Sequence, residues 1–172
     1  MYVFWTNYQP LNWSEGSMPF AVFVVRNLPD SPEIDWDPVV IAKYVEQQVS
    51  AHSINRIVTF DAYGVSGHRN HVSVFQAIQM LQRNSKKFKT EIEVLVLKSE
   101  SCFMKYLSIF SLPFILICHL YTSSYLFLSS PLQVLRTQRA MVKHWSQLLW
   151  FRVLHILFSQ YMFINNVHVL EE

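Results

Sequence analysis

Apolar residues fall into short runs over the first hundred positions and into longer ones after that. FAVFVV, residues 20–25, has the length and the β-branched and aromatic bulk of a buried strand. RNLPDSPEIDWDP follows, and its three prolines, three aspartates and one serine read as a loop. In DPVVIAKYVEQQVSAH, Val40, Ile41, Tyr44, Val45 and Val49 recur every three or four positions, which predicts a helix with one apolar stripe. Asp37 is placed to be its N-cap and Pro38 its first helical residue. NRIVTF, residues 55–60, is a second strand candidate, and HVSVFQAIQMLQRN repeats the helical period through Val74, Ala77, Ile78 and Leu81. EIEVLVLKS, residues 91–99, is a third strand candidate.

Strand, helix, strand, loop, helix, strand predicts an α/β fold with a mainly parallel sheet covered by helices. In such sheets chemistry collects at the loops leaving the carboxyl ends of strands. After Lys105 the pattern changes: residues 106–135 hold no Asp, Glu, Lys or Arg. Thirty residues exceed the roughly 20 apolar positions a bilayer span needs. Pro113, His119, Gln133 and several serines interrupt them. Two readings stand: an apolar helix or pair of short segments, packed on the domain or dipping into a lipid interface, or a true span. RAMVKHWSQLLWFRVLHILFSQYMFINNV then predicts a C-terminal helix, with Arg136, Arg139, Lys143 and Arg152 near Trp145, Trp150 and Phe151. That mixture suits a membrane interface, and an ordinary core-facing helix with a few basic positions has the same pattern.

Composition changes the picture in three ways. The chain of 172 residues fits one domain, and its 51% hydrophobic and 15% charged content is charge-poor beside the about 25% of ordinary soluble domains. A net charge of +2 with scattered Lys and Arg excludes a nucleic-acid binder. Cys102 and Cys118 show no CxxC spacing and read as buried thiols in a reducing compartment. The opening residues lack both a basic n-region and a long apolar h-region, which argues against a cleaved signal peptide.

The stretch VTFDAYGVSGHRNH carries the candidate chemistry. It concentrates two of the chain's three glycines, Gly64 and Gly67, beside His68 and His71. Two imidazoles three residues apart at a strand-to-helix junction can converge on one point, and zinc accepts neutral imidazole nitrogen. Asp61 is placed to orient a histidine or to line the pocket, and the glycines let backbone approach a ligand. A turn with capping, hydrogen-bonded structural histidines fits the same spacing. His52, His119, His144, His155 and His168 have no such partner spacing and, taken singly, read as structural.

VTFDAYGVSGHRNH with the helix after it, RNLPDSPEIDWD upstream and AMVKHWSQLLWFRVLHILFSQYMFIN downstream together resemble the LmbE-like zinc-dependent deacetylases. Within that family the likeness is to the branch acting on N-acetylglucosaminyl-phosphatidylinositol in GPI-anchor biosynthesis. It covers about residues 22–164 and is weakest at 110–135. The resemblance implies that His71 is a zinc ligand and that His68 sits over the substrate amide, stabilising or protonating the tetrahedral intermediate. Asp61 belongs to the same motif as a candidate catalytic residue. Gly67 and Asn70 stand beside it as substrate or structural support, Asn70 at a position that is Asp in many bacterial relatives. His144 and Gln147 match a C-terminal HWSQ signature.

The family's opening His-Pro-Asp-Asp-Glu motif, which supplies two zinc ligands and the base, does not occur in these residues. The resemblance therefore implies a Rossmann-type parallel sheet flanked by helices, missing its N-terminal strand-helix unit and ending in apolar C-terminal helices. The expected organisation is a divergent segment at 1–21, a partial deacetylase domain at 22–105, an apolar membrane-associated segment at 106–135 and a C-terminal helix at 136–172. The chain is expected to be the carboxyl-terminal part of a longer enzyme, from a truncated, alternatively spliced or incomplete gene. The implied reaction converts the N-acetylated glycolipid to glucosaminyl-phosphatidylinositol and acetate, with zinc as cofactor, at the cytoplasmic face of the endoplasmic reticulum membrane. A non-catalytic membrane-associated protein and an unstable fragment are the alternatives.

Overall fold

The structure, a computed structural model, describes residues 2–4, 21–23, 28–29, 34–122, 124–143 and 148–170. The chain divides into two units, Met1–Ser99 with Val169–Glu172, and Glu100–His168.

In the first unit, β1 (Tyr2–Phe4) pairs antiparallel with β2 (Ala21–Phe23), which is the described part of the strand expected at 20–25. Helix α1 (Pro38–His52) starts as its sequence predicts. The Asp37 backbone is extended, its carboxylate accepts from the Val39 N–H at 2.8 Å, and Pro38 occupies the first turn. It stops at Ser53, whose φ of 50° bends the chain out of the helix. Strand β3 (Arg56–Phe60), the short turn α2 (Gly64–Gly67), α3 (Arg69–Asn84), α4 (Lys86–Thr90) and β4 (Glu93–Leu97) follow.

The predicted apolar stripes are the buried ones. Ile41, Ala42, Val45 and Val49 of α1 share a core with Val74, Ala77, Ile78 and Leu81 of α3. Trp36, Ile54, Ile57, Phe88, Ile92, Val94 and Val96 complete it. Burying each large apolar side chain contributes about 1.5–3 kcal/mol, so this cluster is the main source of stability in the unit. Strands β3 and β4 run parallel, with Ile57 opposite Val94 and Phe60 opposite Leu97. Val94, Leu95 and Val96 are all buried, as a covered parallel strand requires, whereas β3 alternates and leaves Val58 half exposed.

The second unit holds α5 (Cys102–Tyr106), a 3₁₀ turn at Ser108–Ser111, α6 (Leu112–His119), β5 (Ser124–Leu128), α7 (Pro131–Val142), α8 (Trp150–Phe158), a 3₁₀ turn at Gln160–Met162 and β6 (Ile164–Val169). β5 and β6 pair antiparallel, Tyr125 opposite Val167. The first unit thus holds a parallel strand pair and the second an antiparallel one, so the α/β expectation holds while the strands are not all parallel.

Two expectations need correction. The C-terminal segment is not one helix: α7 and α8 are separate, and INNVHV forms β6, because its residues pair with β5 instead of continuing the helical period. α7 starts well before the expected stretch, at a capping box in which Ser130 and Gln133 bond each other's backbone N–H. The cysteines are not buried thiols: Cys102 is exposed, Cys118 is partly buried, and neither forms a disulfide. The charge-free stretch breaks into the 3₁₀ turn, α6, β5 and the start of α7, with Pro113 in the first turn of α6. Among the described residues no helix is long and apolar enough to cross a membrane.

Candidate functional site

The loop between β3 and α3 leaves the carboxyl end of β3, and Ser99 lies two residues past the end of its parallel neighbour β4. Its backbone follows an unusual path. Gly64 and Gly67 have φ of 60° and 71°, and between them Val65, a β-branched residue, has φ of 66°. L-residues enter this left-handed region only at a cost, largest for β-branched side chains, so surrounding bonds have to hold the turn in place.

Those bonds centre on Asp61. One carboxylate oxygen accepts from the N–H groups of Tyr63 and Gly64, each at 3.1 Å, and from the Ser99 hydroxyl at 2.6 Å. The other accepts from the Ser99 N–H at 2.6 Å. Ser99 Oγ in turn accepts from the Val65 N–H at 2.8 Å. Asp61 thus ties the turn to the end of the neighbouring strand, and the Gly64 carbonyl is left facing the next helix.

That carbonyl lies 3.0 Å from His71 Nδ1. A carbonyl only accepts, so Nδ1 carries the proton, and the neutral ring presents its lone pair at Nε2, the tautomer a metal ligand or hydrogen-bond acceptor needs. The ring stacks on Phe60 with centroids 3.8 Å apart and planes 10° from parallel. Burial holds its pKa below the usual imidazole value, the Gly64 carbonyl opposes this, and nearby His68 adds to the lowering. His68 meets His71 edge-on, with ring centroids 5.2 Å apart. It is exposed and precedes α3 without capping that helix through its side chain.

The structure therefore brings together five of the residues singled out from the sequence: Asp61, Gly64, Gly67, His68 and His71. Asp61 acts on the turn, and its described partners are Tyr63, Gly64 and Ser99 instead of an imidazole. Gly67 takes the positive φ its residue type permits, with open space where a Cβ would stand. Asn70 lies one residue from His71, but its Oδ1 is buried without a hydrogen-bond partner and accepts nothing from His68. His144 and Gln147 lie outside the described residues. Ser99 and Phe60 were missed. A small hydroxyl residue just past a strand's carboxyl end is the one signal that pointed to Ser99.

The zinc implied by the resemblance needs three protein ligands and an open position. Among the described residues, no three His, Cys, Asp or Glu side chains come together as a metal set. His71 offers one oriented nitrogen and His68 a second imidazole beside it, so the described residues do not by themselves fit the ion.

Over 157 residues the chain is 42% identical to the Bos taurus N-acetylglucosaminyl-phosphatidylinositol de-N-acetylase, a match covering 90% of this chain and 60% of that protein. The chain is thus similar to a de-N-acetylase over most of its own length. A Schizosaccharomyces pombe protein described as a probable de-N-acetylase of the same name is 32% identical over 81% of the chain and 56% of its own length. A Dictyostelium discoideum relative with that description is 26% identical, covering 83% of the chain and 65% of its own length. The chain thus spans about 60% of the length of the de-N-acetylases it matches. No protein-family model matches it, and no solved structure matches it.

Proposed function

We propose that the chain carries the histidine-bearing part of a hydrolase that removes the acetyl group from N-acetylglucosaminyl-phosphatidylinositol in GPI-anchor biosynthesis. The observation that carries this reading is the 42% identity to the bovine de-N-acetylase over nine-tenths of the chain. The loop geometry supports it, because a turn held by Asp61 and Ser99 aims His71 Nε2 and sets His68 beside it. In amide hydrolysis negative charge builds on the carbonyl oxygen while the leaving nitrogen needs a proton. His68, exposed at the mouth of the loop, is suited to both tasks: its ring N–H can bond the oxyanion and its proton can pass to the nitrogen. His71, buried deeper and kept neutral, is suited to hold an acceptor position facing the substrate.

In the metal-dependent family, zinc supplies a polarised carbonyl and an activated water. The location at the cytoplasmic face of the endoplasmic reticulum, like the metal, is part of this proposal and rests on the resemblance, while the names of the relatives support the glycolipid substrate.

The test is a transplant. The matching segment of the bovine de-N-acetylase is replaced by this chain's residues 22–164, and acetate release from N-acetylglucosaminyl-phosphatidylinositol is followed in detergent. The chimera should release acetate, and His71→Ala and His68→Ala should each lower kcat by about a hundredfold or more, the usual scale for a lost catalytic acid, base or oxyanion donor. A folded but inactive chimera, or one indifferent to His71→Ala, would refute the proposal.

A further inference from the structure

The two units treat apolar side chains in opposite ways. Among the described residues, Met1–Ser99 with Val169–Glu172 buries sixteen hydrophobic residues and exposes five large ones, whereas Glu100–His168 buries six and exposes twenty-two. Phe110 is 81% exposed and Trp150 75%, and α8 turns only Ile156 fully inward. Single apolar residues on a surface are ordinary, but this density in one unit marks a surface that something covers.

Charge says what covers it. Glu100–His168 holds five basic residues, Lys105, Arg136, Arg139, Lys143 and Arg152, against one acidic residue, Glu100. α7 shows the two features on one element. Val134 is buried and Gln138 is half-buried, its Nε2 donating to the Ile156 carbonyl at 2.9 Å, while Leu132, Leu135, Arg136, Arg139, Val142 and Lys143 are exposed. The spacing of Arg136, Arg139 and Lys143 sets them in one stripe beside the exposed leucines. A second copy of the chain seated here would press like charge against like charge, which opposes association. An anionic lipid surface meets both features: acyl chains take the aromatic and aliphatic groups, and phosphate and carboxylate headgroups take the basic stripe.

We propose that Glu100–His168 is a docking surface for a membrane leaflet containing anionic phospholipid. The unit lies on the leaflet instead of spanning it, since its helices are short. The inference rests on the proposed glycolipid reaction only for its purpose, which is to hold the loop of His68 and His71 where such a substrate resides.

Flotation with vesicles tests it. The full chain is purified in detergent and diluted into vesicles of phosphatidylcholine alone or phosphatidylcholine with phosphatidylserine, then run on a density gradient. It should float with the anionic vesicles, and more weakly as salt rises. Arg136→Gln, Arg139→Gln and Lys143→Gln together should weaken that binding on the order of a hundredfold. Trp150→Ser with Phe151→Ser should weaken it by about tenfold or more on both lipids. Circular dichroism confirms that the variants keep their helices. Failure of the wild-type chain to float would overturn the proposal, as would flotation indifferent to both sets of substitutions, or a stable dimer that the same substitutions dissociate. The basic-stripe substitutions placed in the bovine chimera separate this from the enzymatic reading. Loss of flotation by the substituted chain, with acetate release in detergent kept by the chimera that carries the same substitutions, supports docking, while an inactive chimera beside a chain that still floats leaves docking standing and removes the reaction.

Discussion

Gly64 and Gly67 both have positive φ, yet the structure assigns them different costs on substitution. A Cβ added at Gly64 would stand 3.0 Å from His71 Cβ, 3.2 Å from Val72 Cγ2 and 3.3 Å from Val72 N. One added at Gly67 would meet nothing within 4 Å. An L-residue in the left-handed region loses about 1–2 kcal/mol relative to glycine, and this applies to both positions. Only at Gly64 does crowding add to it, by about 1–3 kcal/mol for a contact that backbone must yield to relieve. Gly64→Ala should therefore destabilise the first unit by about 2–5 kcal/mol and Gly67→Ala by about 1–2 kcal/mol.

Equilibrium urea unfolding followed by circular dichroism measures the difference. With a denaturant slope of about 1–3 kcal/mol per molar, the extra crowding of about 1–3 kcal/mol should lower the Gly64→Ala midpoint by about 0.3–3 M more than Gly67→Ala lowers it. Because the Gly64 carbonyl holds His71 Nδ1, the same substitution should also disturb the imidazole, which nitrogen-15 chemical shifts report as a mixture of tautomers. Equal midpoints for the two variants would refute the argument that His71 and Val72 pack against Gly64 through a contact only glycine permits.

The Asp61–Ser99 bonds give a second prediction. Ser99→Ala should cost about 1–2 kcal/mol and Asp61→Asn about 2–4 kcal/mol, and the double variant should cost less than their sum by about 0.5–3 kcal/mol, read from the same urea midpoints; simple additivity would break the proposed network. A third concerns pH. Burial, with Lys105 adding to it, holds the His155 pKa below its usual value, as burial does for His71. Above about pH 6.5 each ring is neutral in both folded and unfolded chains and contributes no slope; as pH falls below that, the unfolded chain takes up the proton first and stability declines until the folded pKa is passed. Urea midpoints between about pH 7.5 and 5.5 should fall, and His155→Gln should flatten part of the fall.

The first unit was largely legible in the sequence because local rules suffice there. α1 and α3 follow the 3.6-residue period of Val45, Val49, Val74 and Ile78, and Asp37 caps α1 by a bond two residues long. β3 and β4 fell within two residues of their predicted bounds because apolar runs bounded by turns leave little choice. The pairing of His68 with His71 was legible too, since a helix start with three-residue spacing fixes it. Ser99 was not, because its bond to Asp61 spans 38 residues and exists only where β3 and β4 align in parallel register. β6 was hidden for a related reason. INNVHV continues an apolar, aromatic run in helical style, and only its partner β5, itself set in a charge-free stretch, selects the strand.

Those same non-local bonds decide how the loop is best understood. A turn that only reversed the chain would place glycine or asparagine at each left-handed position, yet Val65 stands at one with its N–H fastened to Ser99. Strain of this kind persists only where the surroundings over-determine it. Here the surroundings are a carboxylate bound by three N–H groups and a hydroxyl, and their combined effect ends at the carbonyl that fixes His71. Fixing one tautomer has little bearing on packing, since an imidazole stacked on Phe60 fills the same volume with its proton on either nitrogen. It matters for a ring whose Nε2 must face something as an acceptor. Under the proposed function, the strain at Val65, the Asp61–Ser99 bonds and the neutral state of His71 share one explanation, the aiming of a single nitrogen lone pair.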